Sequence, residues 1–251
     1  MLLIVNADDL GTSQSINEET FALMESGLVT SATIIANAPA FEHAAERIAN
    51  FPNCSFGVHL NLTVFPPLST CGGLEPVLDG NGRLSQKLFH TSMSAGLRDS
   101  FLRELTAQVQ RALEAGVPVS HFDSHQYVHT IPRLFPVLKR LERRFGIWKV
   151  RSTLNLLPAG ERMTALRSFK KWCFGVALRH YYATASPDGL GHFRDFHAAL
   201  RAGRFPRFRS LELMVHPGTS NPRYNEEVAL LRSGWQGFLP PDVKLGSYHS
   251  I

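Results

Sequence analysis

Short apolar runs alternate along this chain with amphipathic stretches, and several of the runs stop in residues that do chemistry. Strand-like segments fall at Leu2–Val5, Ala32–Ala36, Phe56–Leu62, Val119–Phe122, Ile147–Val150, Leu211–Val215 and Val243–Tyr248. Between them the spacing predicts a helix capped by Ser13 or Ser15 and closed by Gly27, then helices over Phe41–Ile48, Leu97–Ala115, Leu134–Phe145, residues 161–182, and Glu226–Arg232. Repeated β–α alternation points to a parallel sheet with helices packed around it. A length of 251 residues fits one large α/β domain, routine for a barrel, or two small ones; no linker splits the chain convincingly, and a single domain spanning 1–251 is expected. One long Pro/Gly-rich excursion interrupts it at about 64–97, with a small hairpin at Val77–Leu84.

In such a sheet the loops after the strand C-termini share one face, where active sites form. The first strand runs into Asp8 and Asp9, the third carries His59, the fourth leads into His121, Asp123, His125 and His129, and a late one ends in His216. Each alone has an ordinary explanation. Asp8-Asp9 before Gly11 can be turn chemistry, His59 a hydrogen-bonded core residue, and His216-Pro217-Gly218 a turn. His125 and His129, four apart, can share a helix face. Their coincidence at strand ends carries the weight. One carboxylate and two imidazoles make a divalent metal site that leaves room for water and substrate. A second carboxylate beside it can act as general base, and a histidine opposite can protonate a leaving group or stabilise an oxyanion. Adjacent aspartates on a regular strand would point to opposite faces, so a bulge or irregular end is expected at Asp8-Asp9.

The charge balance, 26 basic against 21 acidic residues, is too diffuse to indicate nucleic acid. Its densest cluster is Arg201, Arg204, Arg207 and Arg209 with Phe205 and Phe208 interleaved, read as a solvated turn or an anion or membrane-surface contact. Cys54, Cys71 and Cys173 stand far apart and suggest a reducing compartment. Met1–Val5 is too short for a signal peptide, and no apolar run nears the roughly 18 residues of a membrane span. A cytoplasmic location is expected.

Four motifs together, Asn6-Ala7-Asp8-Asp9-Leu10-Gly11, Gly57-Val58-His59-Leu60-Asn61-Leu62-Thr63, Asp123-Ser124-His125 and Met214-Val215-His216-Pro217-Gly218, resemble those of the YdjC-like carbohydrate deacetylases, which include the chitooligosaccharide deacetylases. The resemblance runs from Leu2 to about Tyr248. It implies a distorted (β/α) barrel related to the polysaccharide deacetylases, and metal-dependent hydrolysis of the N-acetyl group of an acetylated amino sugar or oligosaccharide. By position, it makes Asp8 the general base, Asp9, His59 and His125 the metal ligands, and His216 the general acid or oxyanion partner. His121, His129, Arg151, Asn61 and Asp123 become supporting or substrate-contacting residues. Two positions depart from the family pattern: Tyr127, where alternating histidines are common, and Leu10, where phenylalanine is common. Zinc is the first expectation for the ion and magnesium the second, with manganese, cobalt or nickel also compatible. The family also implies a possible homodimer. Phe65, Phe89 and Trp148 are candidate sugar-stacking aromatics, and the 64–97 excursion a candidate sugar-binding wall or dimer contact. The alternatives are a metal-dependent phosphoester hydrolase, which would favour more carboxylates or paired metals, and a non-catalytic sugar-binding protein.

Overall fold

The computed structural model describes residues 1–70, 72–156, 163–181, 183–206 and 208–251. Cys71, Arg207 and part of the expected 161–182 helix therefore lie outside the described residues. The elements run β1 (Leu2–Leu10), α1 (Gln14–Glu25), β2 (Ser31–Ile34), α2 (Phe41–Ile48), β3 (Ser55–Leu60), α3 (Ala95–Glu114), β4 (Val119–Ser124), α4 (Phe135–Phe145), α5 (Ala165–His180), β5 (Gly189–His192), α6 (Phe193–Arg201), β6 (Ser210–Val215), α7 (Pro222–Leu231) and β7 (Lys244–Gly246). The strands pair in parallel in the order β4-β3-β2-β1-β6-β5, and β7 joins the opening of β1. β1 is buried along almost its whole length, as a strand covered on both faces must be.

The segment expected as a fifth strand at Ile147–Val150 is not a regular strand. Residues 149–155 instead split their partners between two neighbours: Val150 bridges Phe122 of β4, Lys149 bridges Ala185, and Asn155 bridges Leu190 of β5. The Arg151 amide donates to the Phe122 carbonyl and the Leu156 amide to the Leu190 carbonyl. This irregular stave links the two ends of the strand order, so the barrel closes in a distorted form. Serving two neighbours with different spacing prevents it from making a continuous ladder with either.

Local chemistry explains most boundaries. Ser13 and Ser94 cap α1 and α3 by accepting the amides of Ile16 and Leu97. Gly146 ends α4 in the left-handed conformation, its amide bonded to the Glu142 carbonyl. α3 buries Leu97, Phe101, Leu105, Val109 and Ala112 along one stripe. In the 64–97 excursion Leu78 and Leu84 form one antiparallel bridge, and the Asp79 carboxylate accepts the amides of Asn81 and Arg83 at the turn. Glu104 of α3 ties the excursion down by accepting the Leu68 and Ser69 amides. Cys54 and Cys173 are free thiols. Arg201 stacks over Phe238 and Arg209 pairs with Asp188, which fits a solvated turn. Among the described residues, no helix is long and apolar enough to cross a membrane.

Candidate metal centre and catalytic cleft

At the C-terminal end of β1 the ladder slips between Ala7 and Leu10, and Asp9 takes φ +67°. That irregularity turns the two carboxylates in different directions. Asp8 is almost fully buried at the wall of the cleft, and Asp9 stands more open within it. A non-glycine residue in this region is strained and is held there only by surrounding structure. Gln126 and Tyr127, after β4, are also left-handed at φ +51° and +58°, so backbone strain gathers around the same cleft.

Asp9 Oδ1 sits 2.9 Å from His125 Nδ1 and 3.4 Å from His59 Nε2. The other nitrogen of His59 is 2.7 Å from Asp123 Oδ1, and Thr33 Oγ1 donates to Asp123 Oδ2 at 2.9 Å. A carboxylate behind an imidazole fixes the ring and leaves its far nitrogen presented, the usual support of a metal-ligating histidine. Asp9, His59 and His125 offer ligand atoms within 4.8 Å of one another. Asp8, His59 and Asp123 form a second such group, but the Arg151 guanidinium already lies against both of its carboxylates. Among the described residues no such cation is paired with the first group, which fits a divalent ion. The charges agree with this. Burial disfavours charge on His59, yet Asp123, Asp9 and Asp8 outweigh it and lift its pKa to about 10. Such a concentration of negative charge suits a cation.

Arg151 is fully buried. Its Nη1 and Nη2 donate to the two oxygens of Asp8 at 2.8 and 2.6 Å, its Nε donates to Glu212 Oε1 at 2.9 Å, and Nη2 lies 2.7 Å from Asp123 Oδ2. Burial alone would raise the Asp8 pKa, but the charge and hydrogen bonds of Arg151 hold it at about 2. Asn6, two residues earlier on the same strand face, also donates to Asp8 at 2.9 Å. Asp8 is therefore ionised and locked in orientation throughout the neutral range.

Across the cleft, His216 Nε2 stands 4.0 Å from Asp8 Oδ2. Its ring stacks on Tyr224 at 4.3 Å, and its backbone amide donates to Glu227. Its Nδ1 is buried without a protein partner among the described residues. Burial lowers its pKa, so the ring is neutral at neutral pH. Gly218 makes this loop possible. At φ +69°, a Cβ there would lie 2.5 Å from the Ser15 carbonyl oxygen, and the Gly218 carbonyl instead accepts the Ser15 hydroxyl. The cleft has a volume of about 360 Å³, and Tyr127, His192, Met214 and Tyr224 join the acidic and histidine residues around it.

The structure thus brings together Asp8, Asp9, His59, His125, His216, Arg151 and Asp123. It places His121, His129 and Asn61 elsewhere. His121 stacks on Tyr248 at 3.5 Å beneath Gly57, where any Cβ would strike its ring. His129 does not share a face with His125, because the left-handed pair at Gln126 and Tyr127 breaks the turn between them. It is buried beside Leu60 and Leu105, its Nδ1 2.5 Å from the Ser124 hydroxyl. Asn61 organises the loop after β3, accepting the amides of Thr63 and Val64 and donating to Asn37 and Val64. Among the described residues, neither Trp148 nor the 64–97 excursion, with its Phe65 and Phe89, lines the cleft.

His192, Tyr224 and Glu212 are neighbours of the candidate site that sequence reasoning missed. His192 ends β5, the same strand-end signal used for the other histidines, hidden because Gly-Leu-Gly-His is too short and glycine-rich to read as a strand. Tyr224 lies in the first turn of α7, whose Asn221 cap and Pro222 were legible starting signals. Glu212 is a lone acid inside an apolar strand, which calls for a buried cationic partner.

The structure is a parallel α/β barrel, closed in distorted form by the 149–155 stave, that carries an Asp/His cluster at its strand C-termini. The sequence profile of the YdjC-like protein family matches residues 2–236, and the chain belongs to that family. A carbohydrate deacetylase of Listeria monocytogenes serotype 4b (strain CLIP80459) is 38% identical over 154 residues, an alignment covering 59% of this chain and 59% of that protein. The match therefore spans less than two thirds of that relative's length. In structure the chain resembles an Enterococcus faecalis V583 protein named as a candidate for cellobiose-phosphate cleavage, with a TM-score of 0.76, 23% identity, and 99% and 98% of the two chains covered. It also resembles a family 4 acetyl xylan esterase from Clostridium thermocellum in complex with a cobalt ion, with a TM-score of 0.51, 12% identity, and 100% and 89% covered. These two likenesses establish the fold.

Proposed function

We propose that this chain hydrolyses the N-acetyl group of an acetylated amino sugar, using one divalent ion held by Asp9, His59 and His125. The observation that carries the reading is the division of labour between neighbouring carboxylates. Asp9 faces two imidazoles, while Asp8 is kept apart, ionised by Arg151, and aimed toward His216. The name of the Listeria relative, carbohydrate deacetylase, supports deacetylation of a carbohydrate. When bound, the ion acidifies water and polarises the acetyl carbonyl. The His₂Asp donor set favours zinc, and magnesium less because two imidazoles suit it poorly.

Asp8 accepts a proton from the attacking water as the water oxygen bonds to the carbonyl carbon. The C–N bond then breaks, and the sugar nitrogen leaves with a proton from His216, giving a free amine and acetic acid, which releases its proton to solvent as acetate. Because His216 is neutral at neutral pH, the proton it delivers comes from Asp8 across the 4.0 Å gap between them. Arg151 holds Asp8 in place during this exchange, and Tyr224 keeps the His216 ring flat against it. A two-metal phosphoester mechanism is disfavoured because Arg151 occupies the second group of candidate ligands. The test is acetate release from a panel of N-acetylated amino sugars by the zinc-loaded protein and by Asp8→Asn. The variant should turn over about 10²–10⁴ times more slowly at equal metal content. Full turnover by Asp8→Asn with its metal in place would contradict the assignment.

A further inference from the structure

Helix α5 is built inside out. Of its 16 residues, only Leu178 is fully buried. Lys171, Phe174 and Leu178 turn toward the molecule: the Lys171 ammonium reaches Asn155, and the Phe174 ring meets Phe135 edge-on at 5.5 Å. Toward solvent the helix presents Phe169, Trp172 and Val176, which are 60%, 55% and 36% exposed, with Leu166 on the flank at 63%. Ala165, Phe169, Trp172 and Val176 follow the i, i+4, i+7, i+11 spacing of a single apolar stripe. An ordinary surface helix points such a stripe at the core.

Charge supplies a second observation. α5 carries Arg167, Lys170, Lys171 and Arg179 and no acidic residue. Lys170 and Arg179 flank the apolar stripe on opposite sides by helical position. Arg179 also connects through Asp188 to Arg209, which stands well out in solvent. Two copies packed face to face through α5 would set cations against cations with no acid on either helix to offset them, which disfavours a symmetric dimer here. An aromatic stripe bordered by Lys and Arg matches a helix lying in the interface of an anionic bilayer.

We propose that α5 docks this protein on anionic phospholipid surfaces, with Phe169 and Trp172 seated at the headgroup–acyl boundary and the flanking cations on lipid phosphates. Arg167, Lys170 and Lys171 also line a hollow of about 370 Å³ that shares Tyr127 with the catalytic cleft, so the docking helix and the cleft are neighbours. This role stands apart from the chemistry of the cleft, and either can fail without the other.

Flotation of the full chain with vesicles tests it. Phosphatidylcholine vesicles containing phosphatidylglycerol should retain at least tenfold more protein than phosphatidylcholine alone, with retention falling as salt rises. Trp emission should shift to the blue on binding. A Phe169→Ser/Trp172→Ser variant should lose retention while keeping its thermal midpoint, because both side chains are exposed. No retention, equal retention on neutral vesicles, or retention unchanged in the variant would overturn the proposal. So would a lipid-free dimer, seen by sedimentation, that the same variant dissociates.

Discussion

Replacing Arg151 with methionine removes the guanidinium shared by Asp8, Asp123 and Glu212, all of them buried. Deleting one partner of a buried ion pair costs about 3–5 kcal/mol, because the remaining charge is left without compensation. Here one deletion strands three carboxylates, so about 3 kcal/mol is the lower bound, against a total stability of about 5–15 kcal/mol for a typical domain. The pH dependence should also change sign. In the native protein the Asp8 pKa lies at about 2, below its ordinary 3.8. Its contribution to stability is thus present above about pH 4 and lost as pH falls toward 2. Without Arg151, the burial of Asp8 and Glu212 loses its main opponent, and their folded-state pKa values rise. The folded variant then takes up protons that the unfolded chain does not, and gains stability as pH falls from about 7.5 to 5. Urea unfolding at the two pH values measures both effects. Arg151→Lys should recover part of the loss, because it keeps the charge but not the two-pronged geometry. A loss below about 1 kcal/mol in Arg151→Met, or an unfolding free energy for that variant that does not rise between about pH 7.5 and 5, would refute the electrostatic reasoning.

Other consequences follow from the same cleft. Burial lowers the His216 pKa below its ordinary 6.5, so kcat/KM should hold through neutral pH and fall only as His216 takes up a proton at more acidic pH. His216→Asn should reduce turnover by about 10²–10⁴ and abolish that acidic limb. Gly218→Ala should lower the thermal midpoint, because a Cβ at φ +69° would lie 2.5 Å from the Ser15 carbonyl. The cost should exceed about 1 kcal/mol, and kcat should drop as well, since His216 sits two residues upstream in the same loop.

The clustering of the candidate site residues was legible because chemistry-bearing residues sat at the ends of recognisable apolar strands. Asp8, Asp9, His59, His125 and His216 all fell at such ends. The irregular end of β1 was also foreseen, since neighbouring carboxylates on one strand cannot otherwise point to different surroundings. What remained hidden depended on contacts distant in sequence. His121 and His129 shared the strand-end signal, yet one was claimed by the Tyr248 ring and the other by a hydrophobic pocket beyond a kink. No local pattern announced left-handed Gln126 and Tyr127, because neither is glycine. β5 was invisible since its stability comes from pairing with β6 and the 149–155 stave rather than from its own Gly-rich sequence. The role of Glu212 depended on which cation folding would bring beside it.

Zinc stoichiometry measured by elemental analysis after loading and gel filtration tests the central claim most directly. The native chain and Asp8→Asn should each retain one ion per chain, whereas Asp9→Ala, His59→Ala and His125→Ala should each retain far less at the same free zinc. Full retention in those three variants, or loss of the ion from Asp8→Asn, would contradict the assignment of ligands and base.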